Sequence, residues 1–403
     1  MLRHPTMLRL MNSAAAVRKA FSGAVKTRLA SDMTVTRNSS RIIRVEGGIG
    51  YTVSIFGATG QLGRYLVNRL ARRGCTVVIP FREEMSKRHL KVAGDLGKVN
   101  FITSSLSHAS LINIPPQEFD LRNTASIETC VRHSDAVYNL IGRNYPTKNF
   151  SLQDVHVEGT ERIVAAVKKY HVGRYIQVSS YNANPASSSE FYASKACSIA
   201  IRQALSSGRG ENIARDNFPE TTLVRPAPIF GFEDNLLIKL ASAISCTANN
   251  MQQHFWPVHS IDVGEALEKM LYDDSATGQT FELYGPKEYT MAQIKAMVDK
   301  EIFKQRWHLN VPKAVLKPVA GMLNRLLWWN TLSADEVERE FIDQTIDTGA
   351  KTFKDLGIVP GDIYNFTYHY LQGFRSSSFY DLPPTTEKEK REARKYIHVL
   401  NEL

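Results

Sequence analysis

The chain has 403 residues, of which 43% are hydrophobic and 22% are charged, and its formal charge is +10. These proportions are those of ordinary globular proteins, which argues against a disordered polymer or a fibrous repeat. The length exceeds that of most single domains, so we expect a large α/β core, a smaller lobe and extensions at both ends. Because no run of 18 apolar residues occurs, the sequence predicts no membrane span.

The positive charge lies mainly at the start of the chain. Residues 1–45 hold nine of the 50 Lys and Arg residues but only one of the 40 acids, Asp32, so 41 bases and 39 acids remain. A nearly neutral folded part argues against nucleic-acid binding, which needs a basic face. The Ser-, Ala- and Arg-rich opening is typical of a mitochondrial transit peptide, with cleavage expected between Ala30 and Glu46; an uncleaved disordered arm is the alternative.

Four cysteines lie far apart in the chain, at Cys75, Cys130, Cys197 and Cys246, and none forms a C-x-x-C pair. We therefore expect neither a metal site nor a disulfide framework. A reducing compartment such as the mitochondrial matrix fits this pattern.

A strand, a glycine-rich loop, a helix and a second strand follow one another from residue 51. The strand-length run 51–56 ends at a G-x-x-G-x-x-G loop, and Leu62, Leu66 and Leu70 then form a helical apolar stripe. Residues 76–79 form the second predicted strand. This context is what the dinucleotide fingerprint requires, whereas the glycines alone would indicate no more than a turn.

The loop predicts a binding site for the pyrophosphate of a dinucleotide. Gly57 permits the tight turn, Gly60 lets the pyrophosphate approach the backbone, and Gly63 lets helix and strand pack closely. Free N–H groups at the helix N-terminus attract the anion. The loop residues that we assign to the cofactor are Gly57, Thr59, Gly60, Gln61, Leu62 and Gly63.

Arg82 follows the second strand, where NAD enzymes place an acid for the ribose 2′-hydroxyl and NADP enzymes place an arginine for the 2′-phosphate. Arg82 therefore favours NADPH as the cofactor. Glu83 and Glu84 come next and would serve as the NAD-type acid if the strand ran longer. A solvated charge at the strand end is a third interpretation of Arg82.

The order of motifs from Val53 onward resembles that of the extended and atypical short-chain dehydrogenases/reductases. The resemblance rests on the glycine loop, Asp120-Leu121, and the segments 137–142, 178–180 and 224–226. It implies an α/β fold, a Rossmann doubly wound parallel sheet with a smaller, mostly helical C-terminal lobe. It also implies further cofactor contacts: Asp120 and Leu121 at the adenine, Leu140, Ile141 and Gly142 along the ribose, and Pro226 near the nicotinamide. Ser179 or Ser180 would line the nicotinamide end, with ordinary strand-end serines as the alternative.

Three phrases, GATGQLGRYLVNRL, NLIGRNYPTKNF and VSSYNAN, resemble more closely the nucleotide-binding accessory subunits of mitochondrial complex I. This resemblance implies a peripheral subunit on the matrix side of the inner membrane that contacts other complex I subunits. It also implies a tightly held NADPH that is not turned over. The transit-like N-terminus supports the same interpretation independently.

The catalytic pair of the reductase family is incomplete in this chain. A working reductase needs a Tyr four residues before a Lys on one helix face, so that the ammonium lowers the pKa of the phenol. Phe191 stands four residues before Lys195, and Tyr192 is rotated by about 100° from that position. We therefore expect no catalytic residue, with Lys195 still bonding the ribose; an exposed helix lysine is the alternative.

Three further segments lie outside this pattern. Residues 103–118 are rich in Ser and Pro and predict a surface loop. Residues 311–332 combine Lys and Arg with apolar residues and a Trp pair, which suits inner-membrane lipid or, equally, packing inside the lobe or against a neighbouring subunit. We divide the chain into a transit segment 1–45, a Rossmann domain 46–284, a lobe 285–380 and a charged tail 381–403.

Three functional hypotheses compete: a structural subunit that holds NADPH, an active NADPH-dependent reductase, and a scaffold that binds RNA or assembles other proteins. Phe191 argues against the reductase, and the nearly neutral folded part argues against RNA binding. The sequence therefore favours a non-catalytic, NADPH-binding subunit that stabilises the junction of the peripheral and membrane arms of complex I.

Overall fold

A computed structural model describes residues 50–102, 119–197, 218–232, 234–242, 245–326 and 332–392. Four predicted features lie outside the described residues: the transit segment 1–45, the loop 103–118, the pair Trp328 and Trp329, and the tail beyond residue 392.

The described chain opens with a strand, a helix and a second strand, as the sequence predicts. In chain order the strands are β1 (Thr52–Phe56), β2 (Thr76–Pro80), β3 (Val99–Ile102), β4 (Ala136–Asn139), β5 (Arg174–Val178), β6 (Thr222–Pro226), β7 (Ile229–Phe230), β8 (Ser245–Thr247), β9 (His254–Phe255), β10 (Val258–His259), β11 (Thr280–Leu283), β12 (Tyr289–Thr290) and β13 (His308–Asn310). The helices are α1 (Gln61–Arg72), α2 (Thr124–Val131), α3 (Gly159–Lys169), α4 (Glu190–Cys197), α5 (Leu237–Ser242), α6 (Ser260–Tyr272), α7 (Met291–Ile302), α8 (Lys313–Leu326), α9 (Ala334–Arg339) and α10 (Thr367–Leu371).

Within the described part of the chain, seven strands form one parallel sheet in the order β11-β6-β5-β4-β1-β2-β3. The chain runs outward from β1 through β2 to β3 and then returns to pair β4 with the other side of β1. The connections therefore diverge between β1 and β4, and open α/β sheets bind ligands at such a switch point. The predicted Rossmann doubly wound sheet is confirmed.

Different helices cover the two faces of the sheet, because successive strand residues point to opposite faces. Val53 and Ile55 of β1 pack with the apolar stripe of α1 and with α6, whereas Phe56 packs with α2 and α3. Ion pairs also join α1 to α6, from Arg69 to Glu268 at 3.1 Å and from Arg73 to Glu268 at 2.6 Å. Both faces of the sheet are thus covered by helices.

A third apolar cluster forms a smaller lobe beside the sheet. It joins Leu237 and Leu240 of α5, Phe255 of β9 and Ile294 of α7. The lobe therefore takes chain from 230–255 as well as from the region beyond 285. Conversely, Phe353 packs in the main core beside the sheet. The boundary at 285 stays a prediction, and the packing shows that the chain passes between core and lobe more than once.

Candidate nucleotide-binding site

The glycine loop between β1 and α1 is tight and lies close to the segment after β4. Gly57 has a φ of +82°, a left-handed conformation that favours glycine. A Cβ at this position would lie 3.0 Å from the backbone carbonyl carbon of Leu140. Gly60 is the N-cap of α1, and its N–H donates to the Gly57 carbonyl oxygen at 3.1 Å. The turn is therefore shaped by local backbone bonds, as the glycine spacing predicts.

Gly63 and Gly60 have different reasons for lacking a side chain. A Cβ at Gly63 would lie 2.4 Å from the Ala58 carbonyl oxygen and 2.5 Å from its Cα, so only glycine lets α1 pack here. A Cβ at Gly60 would meet only the Gly57 carbonyl oxygen, at an ordinary 3.4 Å. The fold itself does not require glycine at position 60. Glycine at position 60 leaves the backbone open to close approach, as the predicted pyrophosphate contact requires.

The first turn of α1 presents hydrogen-bond donors at the switch point. It contains no acidic residue, and no side chain caps it among the described residues. Its first N–H groups therefore suit an anion, which the helix dipole also attracts. The Nε2 of Gln61 is buried and has no hydrogen-bond partner within the described chain. A buried unpartnered amide beside an anion site fits a ligand oxygen as its partner.

Asn139 fixes the segment that passes over the glycine loop. It ends β4 and is 1% exposed. Its Nδ2 donates to the Gln177 Oε1 at 3.0 Å and to the Thr160 Oγ1 at 3.3 Å, and its Oδ1 accepts from the Ile141 N–H at 3.1 Å. This role of Asn139 was not foreseen from the sequence, although an asparagine at the end of an apolar strand is a recognisable signal.

Lys195 of α4 reaches the same segment from the neighbouring side. Its Nζ donates to the Ile141 carbonyl oxygen at 3.4 Å, and a Cβ at Gly142 would lie 2.8 Å from that Nζ. The residue is 6% exposed, so it is not the exposed helix lysine of the alternative interpretation. Burial lowers the pKa of Lys195 to about 8. The ammonium therefore lies where the predicted ribose contacts Leu140, Ile141 and Gly142 meet.

His156 bonds Arg143 and Ser194 beside Lys195, a role that was not foreseen from the sequence. Its Nε2 accepts from the Arg143 N–H at 3.1 Å, so its Nδ1 carries the proton and donates to the Ser194 Oγ at 2.9 Å. Burial, together with the nearby Lys195, lowers the pKa of His156 to about 2. The imidazole is therefore neutral at any physiological pH and positions the loop after β4.

Phe191 fills the position at which the reductase family carries its phenol. It is 7% exposed, and its ring lies 5.6 Å from the His156 ring in an edge-to-face arrangement. The guanidinium carbon of Arg339 lies over the Phe191 ring at 4.7 Å. Tyr192 instead packs against Tyr181, with ring centroids 5.5 Å apart, and burial raises the pKa of Tyr192 well above its ordinary value. The position four before Lys195 thus has no proton to give.

Two predicted contacts for the nicotinamide end lie on neighbouring strands. Ser179 follows β5 and Pro226 ends β6, and the Ser179 N–H donates to the Val224 carbonyl oxygen at 2.7 Å. The Ser179 Oγ is buried and has no hydrogen-bond partner within the described residues. A polar group of a ligand would satisfy it. The ends of β1, β4, β5 and β6 thus bring most of the predicted site residues to one edge of the sheet.

The remaining predicted contacts lie at the other end of that edge. Arg82 is exposed two residues after the end of β2. Asp120 is exposed and its Oδ1 accepts from the Arg122 N–H at 3.0 Å, whereas Leu121 is buried. A Cβ at Gly159 would lie 2.4 Å from the Leu121 Cδ2, so Leu121 is packed against α3. The adenine contacts of Asp120 and Leu121 stay predictions.

Lys195 should make the stability of the ligand-free chain depend on pH. The folded pKa is lowered to about 8, whereas an unfolded lysine has a pKa of about 10.4. Between these values the unfolded chain binds more protons, so the free energy of unfolding rises with pH from about 8 to about 10.4. Below pH 8 the buried charge costs about 3 kcal/mol.

Lys195→Met should therefore raise the urea midpoint at pH 7 and have little effect at pH 10.5. Lys168→Met is the matched control, because Lys168 is exposed on α3. An unchanged midpoint for Lys195→Met at pH 7 would show that the ammonium is not buried at a cost.

The fold and the glycine loop are those of the Rossmann class of α/β folds, whose switch point binds dinucleotides in many enzymes. The profile of the NAD dependent epimerase/dehydratase family matches residues 53–207. An NADPH-dependent quinone oxidoreductase from Escherichia coli, solved with NADPH, aligns with 79% of this chain and 99% of that chain at 16% identity and a TM-score of 0.57. A UDP-N-acetylglucosamine 4-epimerase from Methanobrevibacter ruminantium aligns with 81% of this chain and 98% of that chain at 12% identity and a TM-score of 0.56.

Curated relatives narrow this class to one family. The mitochondrial NADH-ubiquinone oxidoreductase 40 kDa subunit of Neurospora crassa is 62% identical over 93% of this chain and 94% of its own length. Subunit 9 of the NADH dehydrogenase [ubiquinone] 1 alpha subcomplex, mitochondrial, is 31% identical in Dictyostelium discoideum, over 86% of this chain and 92% of that protein. The mouse protein of that name is 33% identical over 77% of each chain. The chain belongs to this family of mitochondrial NADH-ubiquinone oxidoreductase subunits, which confirms the resemblance drawn from the three phrases.

Proposed function

We propose that the chain is an accessory subunit of mitochondrial complex I that binds NADPH and keeps it as a structural component. Family membership supports the place in complex I, since the relatives are named as its subunits. The observation that carries the nucleotide role is the glycine loop at the switch point, where the fold leaves Gly60 open. The subunit lies on the matrix side of the inner membrane and stabilises the junction of the two arms.

The residues at the switch point fit a dinucleotide. The glycine loop and the first turn of α1 bind the pyrophosphate, Lys195 bonds the ribose, and Ser179 offers an unpartnered hydroxyl to the carboxamide. A bound nicotinamide supplies hydride chemistry. The residues of this chain bind and orient it, and Phe191 withholds the proton that a carbonyl reduction would need. The chain is therefore a holder of the nucleotide, with the active reductase as the alternative.

The surroundings of Arg82 favour NADPH over NADH. The Glu84 carboxylate is engaged by the Lys87 Nζ at 2.6 Å, which lowers the pKa of Glu84. Lys87 is in turn held over the Phe81 ring at 3.7 Å. Glu84 is thus paired within its own turn, whereas Arg82 and Glu83 are exposed after the strand. With Glu84 paired, the exposed Arg82 offers the positive charge that a 2′-phosphate needs.

Arg82→Ala should weaken NADPH binding about tenfold or more and leave NADH binding unchanged. The reason is the loss of a charge-assisted hydrogen bond to the 2′-phosphate, which NADH lacks. Titration calorimetry with both nucleotides measures the two affinities. Arg88→Ala is the matched control, since Arg88 is exposed in the neighbouring turn Met85–Leu90. Equal losses for both nucleotides would contradict the assignment of Arg82.

The exposed face of α8 supports a contact with inner-membrane lipid through residues 311–332. Among the described residues, no helix combines the length and the hydropathy that a bilayer crossing needs. Apolar side chains nevertheless lie exposed along α8, at Val315, Val319, Met322, Leu323 and Leu326. Lys313 and Lys317 of this helix both pair with Glu338. The attraction to lipid should therefore come from the apolar side chains more than from charge.

Flotation with neutral phosphatidylcholine vesicles tests the lipid contact. The full chain should float, and Met322→Glu should reduce the floating fraction severalfold, because a charge on this face opposes its burial in lipid. Val359→Glu is the control, since Val359 is 92% exposed elsewhere on the surface. Equal flotation of both variants would contradict the role of α8.

Native gels test the place in the complex. The chain should co-migrate with assembled complex I from mitochondria. Recovery only as a free matrix monomer would refute the proposal.

A further inference from the structure

The short helix α9 contacts two elements of the proposed nucleotide site, the start of α4 and the loop after β4. We call this side of α9 its cleft side. The Asp335 carboxylate accepts from the Ser189 Oγ at 3.0 and 3.1 Å and from the Glu190 N–H at 2.7 Å. It thereby caps the start of α4, the helix that carries Lys195. Arg339, one turn later, donates to the Asn144 carbonyl oxygen at 2.9 Å and covers the Phe191 ring.

The same helix holds α8 on its other side. Glu338 accepts from the Lys313 Nζ at 2.8 Å and from the Lys317 Nζ at 3.0 Å. Val337 is fully buried against Leu316 and Ala320 of α8. The face of α8 turned away from these contacts is the exposed apolar face. A six-residue helix thus joins the loop after β4 and the start of α4 to the surface offered by α8.

We propose that α9 is a strap through which an occupied nucleotide site fixes the position of α8. The inference rests on the proposed function, because it requires the nucleotide to bind. Asn144 continues the loop of Leu140, Ile141 and Gly142, and α4 supplies Lys195, so both anchors of the strap belong to elements that hold the ribose. In the closed strap, α9 keeps its bonds to the start of α4 and to the Asn144 carbonyl oxygen. A nucleotide that orders these two elements therefore favours the closed strap.

Thermodynamic linkage makes the coupling reciprocal. If the nucleotide stabilises the closed strap, the closed strap must tighten nucleotide binding by the same factor. Arg339 and Asp335 also form an ion pair with each other, with the Nε and Oδ2 atoms 3.3 Å apart, so the cleft side of α9 acts as one unit. A bound nucleotide that is not consumed then has a structural role, because its presence fixes the position of α8 and of its exposed apolar face.

The test compares the two sides of the strap in the full-length chain. Arg339→Gln cuts the cleft side and should weaken NADPH binding about tenfold, through loss of a charge-assisted hydrogen bond and a cation-π contact. Glu338→Gln weakens the α8 side only partly, since Val337 keeps its apolar contacts with α8, so by the same linkage the NADPH affinity should fall by no more than about twofold. Hydrogen exchange of residues 313–326, with α7 as the internal reference, reports on α8. NADPH should slow this exchange in the unmodified chain and should do so less in both variants.

Asp335→Asn keeps the test decisive if Arg339→Gln fails to fold. It removes the charge but retains one acceptor oxygen, and it should weaken NADPH binding about threefold. Unaltered NADPH affinity in the folded cleft-side variants would overturn the strap. The strap is equally overturned if the unmodified chain binds NADPH and α8 exchange does not respond. If the unmodified chain binds no NADPH, the proposed function itself fails, and the two failures are thus distinguishable.

Discussion

Gly60→Ala is expected to weaken NADPH binding about a hundredfold or more while the fold keeps its stability. A methyl group at this position meets only the Gly57 carbonyl oxygen at 3.4 Å, so the ligand-free chain accommodates it. The pyrophosphate, in contrast, loses its close approach to the N–H groups of α1, and each charge-assisted bond of this kind contributes about 1.5–3 kcal/mol. Titration calorimetry gives the affinity, and thermal unfolding of the free chain gives the stability.

Gly63→Ala provides the matched comparison, because it should act on the fold. Its methyl group would lie 2.4 Å from the Ala58 carbonyl oxygen. This oxygen belongs to the backbone, so it cannot move aside as the end of a flexible side chain can. Overpacking of this kind typically costs about 1–3 kcal/mol, so the unfolding midpoint should fall. Tight NADPH binding by Gly60→Ala, or native stability of Gly63→Ala, would contradict the roles assigned to these glycines.

The second large effect concerns catalysis. The unmodified chain is expected to oxidise NADPH with carbonyl compounds no faster than background, because Phe191 cannot donate a proton. Phe191→Tyr should raise the rate by about 10²-fold or more, the usual contribution of a general acid. Lys195 is already placed on the same helix face, four residues on. A spectrophotometric screen of NADPH oxidation against a set of carbonyl compounds measures both proteins.

Two controls sharpen this test. Phe191→Met changes the ring without adding a proton donor and should stay inactive. Tyr192→Phe should not change the activity of the Phe191→Tyr chain, because Tyr192 packs against Tyr181. Robust turnover by the unmodified chain would restore the reductase hypothesis. An inactive Phe191→Tyr chain would show that the site has lost more than its proton donor.

Local patterns accounted for the parts of the site that are close in sequence. The turn at Gly57, the stripe of α1 and the order of β1 and β2 follow from spacing and residue type over some 30 residues. The relation of Phe191 to Lys195 is equally local, since it depends only on helical geometry. These features were predictable because neighbouring residues in the chain determine them.

Contacts between distant segments were not predictable in the same way. His156 meets Ser194 across 38 positions, and Arg339 reaches Asn144 across 195 positions. No periodicity in the sequence encodes such a contact, because it depends on how the lobe packs on the sheet. The pairing of Lys87 with Glu84 also needed coordinates. The lobe itself combines 230–255 with later chain, which a single boundary in sequence cannot express.

Nucleotide content of the native protein tests the central claim most directly. The chain is isolated from mitochondria within its complex and denatured, and the released small molecules are identified and quantified by mass spectrometry. We expect NADPH at about one molecule per chain, because the described part of the chain offers one Rossmann site, at the switch point of the seven-stranded sheet. A native preparation without a dinucleotide, or with an unrelated molecule in its place, would contradict this claim.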